Sequence, residues 1–144
     1  MSLNIHRFAA IKGRQSGDDF YTVVCEMATI PRLFLFNEAT IPTELRAQRH
    51  INKSRIPEIA KYIVDNPKNY IFSALTASID GKINFRPLKI NGKDSEVGEL
   101  EISGDARLMI NDGQHRRAAI EKALQDNPSL SNETIAVVFF RDKG

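Results

Sequence analysis

The sequence predicts a mixed α/β (α+β) domain: a mixed β-sheet with a few packed helices. Three observations predict it. Segments rich in aromatic and β-branched residues recur along the chain and are set off by glycine-containing turns. Between them, residues 56–64 repeat apolar positions at the helical period. Near the end an apolar strand, a helix and another apolar strand follow one another, the pattern of a parallel crossover.

The elements follow in order. The first 19 residues are polar and glycine-containing, and predict at most a weak strand start. "FYTVVCEMATI" (20–30) reads as a strand, and "LFLF" (33–36) after Pro31 as a second, short one. "PTELRAQR" (42–49) reads as a short helix with Pro42 in its first turn. Ser54 is a candidate N-cap for the next helix, where Ile56, Ile59, Ala60, Ile63 and Val64 fall on one face until "DNP" ends it. "YIFSALTASI" (70–79) and "KINFRPLKI" (82–90) flank Asp80-Gly81, a two-residue hairpin signal. "NGKDSEVG" (91–98) reads as a polar loop. "ELEIS" (99–103) and "ARLMIN" (106–111) flank Gly104-Asp105, another turn signal. The helix "DGQHRRAAIEKALQDNP" follows, then "TIAVVFFRD" (134–142), apolar enough to predict a central strand with neighbours on both sides.

Composition narrows the function classes. With 144 residues the chain suits one domain rather than two. Hydrophobic residues at 42% and charged residues at 26% are ordinary for a globular domain. No apolar run reaches the roughly 18 residues needed to span a bilayer, and the N-terminus does not resemble a signal peptide, so no membrane role is expected. Cys25 is the single cysteine, which excludes an internal disulfide and a thiolate zinc site and fits a cytoplasmic location; its expected role is a small packed hydrophobe in its strand. His6, His50 and His115 show no metal-ligand spacing. There is no P-loop, no G-x-S-x-G elbow and no H-E-x-x-H pair, so no catalytic residue is assigned.

A net charge of +2 does not by itself announce a nucleic-acid partner. The cations are clustered, however. "RAQRHINKSR" holds Arg46, Arg49, His50, Lys53 and Arg55 without one acid, and "HRR" follows Gly113-Gln114. A helix N-terminus leaves backbone N–H groups without intrahelical partners and carries about half a positive charge, so it favours anions, phosphate above all. A glycine there lets a ligand approach the backbone. His115 and Arg116 add donors to the same anion, at a local cost of about 0.3–1 kcal/mol each against the helix dipole. Such a conflict between local preference and context is expected at a functional site. Arg117 lies four residues before Glu121 and is expected to form a surface ion pair, whereas Arg116 shares a face with Ile120, Ala123 and Leu124. Asp112 is the expected N-cap, with a place beside a metal as the alternative. Asn52, Lys53, Ser54 and Arg55 form a second basic turn; two helix N-termini aimed at one cleft would accommodate a nucleotide, although "NKSR" is also an ordinary capped start.

"DGQHR" after an apolar strand resembles the signature of the DGQHR-domain proteins. More closely, "FYTVVCEMATIPRLFLFNE", "PTELRAQRHINKSRIPEIAKYIVDNPKNYIFSALTASIDG", "GELEISGDARLMINDGQHRRAAIEKAL" and "VVFFRD" resemble, in order, the N-terminal part of the DndB family of DNA sulfur modification proteins. The resemblance implies an accessory component of a bacterial DNA phosphorothioation system. It implies binding to promoter DNA, repression of the modification operon, and contact with other sulfur-modification proteins. Members of the family are longer, so the chain is expected to be part of a larger protein. More distantly, the domain is similar to ParB N-terminal and sulfiredoxin domains, which hold a nucleotide phosphate at the equivalent strand-to-helix turn through a Gly-x-x-Arg motif. Carried over, this makes Gly113, His115 and Arg116 phosphate-side residues, joined by Asn52 and Arg55, with Arg49 in the same basic stretch.

Gln114 stands where sulfiredoxin has its reactive cysteine, which rules out that thiol chemistry, and where ParB-type proteins have a carboxylate. Its lack of charge speaks against metal dependence and nucleotide hydrolysis. The expectation is thus a DNA-binding regulator. The alternatives are a nucleotide-binding switch or weak NTPase taking a nucleoside triphosphate as ligand, and a pure assembly module.

Overall fold

The structure is a computed structural model that describes residues 4–34, 55–66 and 68–142. The expected helix at 42–49, the Ser54 cap, and Arg46, Arg49, His50, Asn52 and Lys53 lie outside the described residues.

The chain forms two compact units. One holds the strands, up to Cys25, over Ser73–Asp112 and from Thr134 onward; the other runs from Glu26 to Phe72 and over Gly113–Glu133 and holds the helices. The elements are β1 (Ile5–Gln15), β2 (Asp18–Glu26), a 3-10 turn (Met27–Thr29), α1 (Ile30–Leu33), α2 (Arg55–Asp65), β3 (Leu75–Asp80), β4 (Ile83–Ile90), β5 (Lys93–Ser103), β6 (Arg107–Asp112), α3 (Gln114–Asp126), a second 3-10 segment (Pro128–Asn132) and β7 (Thr134–Arg141). The expected α+β class holds: the described residues form a mixed seven-stranded sheet and three helices.

The sheet order is β4-β5-β1-β2-β7-β3-β6. β7 is central, as its apolar sequence predicts, and pairs in parallel with β3. Four strands form one long ribbon. β4 and β5 are joined at the tight Asn91-Gly92 turn, where both residues have positive φ (54° and 78°), and pair antiparallel. The same two chain segments then pair again as β3 and β6, with Asp80 opposite Arg107. Yet β3 and β4 stand five positions apart in the sheet, about 24 Å if it were flat. The connector Gly81-Lys82 spans at most about 11 Å. The sheet therefore curls, and the ribbon bends at Gly81-Lys82 on one side and Gly104–Ala106 on the other.

This corrects several expectations. Asp80-Gly81 and Gly104-Asp105 are bends of one ribbon, not hairpin turns between paired neighbours. Residues 91–98 are not a loop but a two-residue turn and the start of β5. The opening residues form an eleven-residue strand, β1, hydrogen-bonded to β2 and β5. The strand expected over 20–30 starts at Asp18 and stops at Glu26; Pro31 sits at the start of α1, so Leu33 is helical rather than in a strand. The strand expected from residue 70 begins at Leu75. β6-α3-β7 is not a parallel crossover: β3 lies between β6 and β7, antiparallel to one and parallel to the other.

Inward positions alternate along the strands with a period of two. They supply the buried Val23, Cys25, Leu75, Ala77, Ile79, Leu100, Ile102, Val137 and Phe139. The Phe8 and Phe139 rings lie 6.2 Å apart, and Tyr21 and Phe85 5.5 Å apart. On β5 Glu99 and Glu101 face Arg86 across the β4 pairing, Arg86 Nη2 lying 2.7 Å from Glu101 Oε1. Paired in this way, Glu99 is held below the usual carboxylate range, chiefly by its hydrogen bond from Arg86.

In the helical unit, α2 buries Ala60 and Ile63 against Ala119, Ala123 and Leu130, flanked by Ile59, Val64, Tyr70, Phe72 and Leu124. The three alanines allow the two helices to approach closely, and burial of a side chain such as Ile63 contributes about 1.5–3 kcal/mol. The Tyr70 hydroxyl donates to Glu133 Oε1 at 3.1 Å, and burial together with that carboxylate raises the phenol above its ordinary range.

A candidate phosphate-binding turn

Five of the eight candidate residues, Asp112 to Arg116, lie at the junction between β6 and α3. A β-bulge lies just upstream: Ala77 pairs with Ile110 but Thr76 pairs with Asp112, leaving Asn111 as the extra residue. The Ser78 hydroxyl donates to Asn111 Oδ1 at 2.7 Å, which fixes the bulge and re-aims the strand end. Asp112 is the exposed last residue of β6, not the helix cap. The cap is Gly113, buried, with φ 108° and ψ 19° and no side-chain capping bond. Only glycine adopts that backbone without strain. Asp112 cannot cap because the chain makes its left-handed turn one residue later.

α3 begins at Gln114, and its first helical hydrogen bond runs from Arg117 N–H to Gly113 O at 2.8 Å. The first turn contains no acidic residue. It holds Gln114, His115 and Arg116, all half-buried, with Gln114 Oε1 and Arg116 Nε withdrawn from solvent. Positive charge therefore gathers at the positive end of the helix dipole.

Arg117 departs from its expected position. Arg117, expected on the surface, is buried at 8% exposure. Its pair with Glu121 exists (Nη1 to Oε2, 2.6 Å), but Nε also donates to Phe34 O at 2.6 Å and Nη2 to Pro31 O at 3.4 Å. The buried residues of α3 are Arg117, Ala119, Ile120 and Ala123; Arg116, three, four and seven positions before the last three, shares their face as expected and is half-buried. Sequence reasoning missed Arg117, Asn111 and Ser78; no local pattern announces a carbonyl 83 positions away in the chain.

Arg55 is exposed at the start of α2. Arg49 and Asn52 lie outside the described residues. Among the described residues, no group of three or more His, Cys, Asp or Glu side chains is placed to hold a metal ion, and no helix is long and apolar enough to cross a membrane.

No curated protein and no solved structure matches the chain. A family model described as DndB, DNA-sulfur modification-associated, matches residues 8–144. The chain thus belongs to the DndB family and to the machinery of DNA sulfur modification.

Proposed function

We propose that this protein is a DNA-binding accessory regulator of the sulfur-modification system, and that the turn Asp112-Gly113-Gln114-His115-Arg116 contacts backbone phosphate. One observation carries the reading: the first turn of α3 is capped by a left-handed glycine without a side-chain bond, contains no acid, and bears a histidine and an arginine. That combination suits an anion. Arg55 joins the proposal from its exposed position, and Arg49 and Asn52 join it on sequence grounds alone. Contacts of this kind set register on a duplex and carry little sequence information. Repression of the operon follows when the duplex bound is the promoter.

The test is a titration of promoter duplex at several salt concentrations with the Arg55→Ala/Arg116→Ala double variant. Binding weakens, and the slope of log affinity against log salt falls by about 1 for each phosphate that the variant no longer neutralises. An unchanged slope and affinity overturn the DNA role of these residues. The same cap geometry favours a second reading, a nucleotide-binding switch or weak NTPase, because strand-to-helix glycine turns suit nucleotide phosphates. In that case ATP raises the melting temperature of the wild type, and His115→Ala abolishes the gain. Where neither DNA nor nucleotide binds, docking onto the modification enzymes is the remaining role.

A further inference from the structure

Two adjacent arginines enter α3, and the second acts as an internal clamp. The Arg117 backbone N–H closes the first turn onto Gly113 O. Its side chain meets the carbonyl of Phe34, the C-cap of α1, that of Pro31 within α1, and the carboxylate of Glu121. The last carbonyls of a helix lack partners within it; α1 has only four residues, and Arg117 donates to the carbonyl of Pro31 within it and to that of its C-cap, Phe34. A planar guanidinium spans these three acceptors at once, which a lysine ammonium cannot.

We infer that Arg117 is the positioning residue of the Gly113–Arg116 turn: it clamps the first turn of α3 to the end of α1 and so fixes where His115 and Arg116 stand. It is too buried to be a phosphate contact itself, at 8% exposure, and its donors are already directed at protein acceptors. The functional consequence rests on the phosphate reading above; the clamp does not.

The experiment uses the full chain with Arg117→Met, Arg117→Lys and Glu121→Gln, beside Arg116→Ala. Amide hydrogen exchange is followed well below melting, together with binding of promoter duplex. In Arg117→Met, exchange at residues 117–120 accelerates about tenfold while the amides of β1 and β2 stay as in the wild type. Arg117→Lys and Glu121→Gln, each keeping part of the clamp, fall between, and Glu121→Gln serves if Arg117→Met does not fold. DNA binding weakens in Arg117→Met about as much as in Arg116→Ala. Unchanged exchange at residues 117–120 overturns the clamp. Accelerated exchange with DNA binding intact, where Arg116→Ala weakens that binding, overturns the positioning role. Accelerated exchange with DNA binding intact in both variants upholds the clamp and removes the phosphate reading instead.

Discussion

Cys25 sits on the inward side of β2 at 3% exposure, and burial pushes its thiol up to about 12. The thiolate is the nucleophile, so such a side chain is chemically quiet. At pH 8.5 the native protein reacts with iodoacetamide at least about a hundredfold more slowly than a free thiol, and unfolding in urea restores the ordinary rate. Fast native labelling would contradict the burial. The unfolded thiol deprotonates near its ordinary value of 9.0 while the folded one stays protonated, so this group's stabilisation is present below that value and declines as pH rises toward about 12. The residues of the candidate turn were less legible than Cys25. Gly113, His115 and Arg116 stand out in sequence because their types conflict with a helix start. Arg117 does not, since its i, i+4 acid suggests an exposed pair and its carbonyl acceptors come from α1.

At the scale of elements, the β4-β5 arm shows what local patterns carry. Asn91-Gly92 is a turn signal of the same kind as Asp80-Gly81, and it is this one, read with residues 93–98 as a loop, that forms the tip of a hairpin. Behind it the register shifts between Pro87 and Lys89, and Ser95 holds the irregularity: its hydroxyl donates to Leu88 O at 2.6 Å and accepts from Val97 N–H at 3.3 Å. Ser95→Ala therefore costs about 1 kcal/mol. In urea titrations the midpoint falls with the slope unchanged, and exchange rises at Val97 before it rises in β7. An unchanged midpoint would show that the bulge holds itself. α2 was legible because its apolar period is clean and long. β1 was not: Ile5, Phe8, Ala10 and Ile11 break the alternation, and Ile5 and Ile11 are exposed at 48% and 57%, so its strand character comes from pairing with β2 and β5 rather than from its own pattern.

Across the whole molecule, the curled sheet depends on sites where glycine is needed for space. A Cβ at Gly104 would collide with the backbone carbonyl of Asn4, at the start of β1, and one at Gly81 would meet Ala106 Cα at 2.7 Å. Both sites are where the ribbon bends, and the obstacle at each is backbone, which cannot rotate away. In sequence, Asp80-Gly81 and Gly104-Asp105 read as hairpins because a bend and a turn use the same local chemistry; which strands lie beside them is settled by pairings spread over the whole chain. This separates two kinds of glycine by their consequences. Gly92 has open space around it, so Gly92→Ala meets only the strain of a left-handed backbone, about 1–2 kcal/mol. Gly104→Ala must displace β1 from β5 and costs more, about 3 kcal/mol or above, in the range of overpacked cores. Chemical denaturation of the two variants side by side checks the order. If Gly104→Ala is the milder change, β1 yields freely at its start, and the close approach of Asn4 to the bend does not hold the curl.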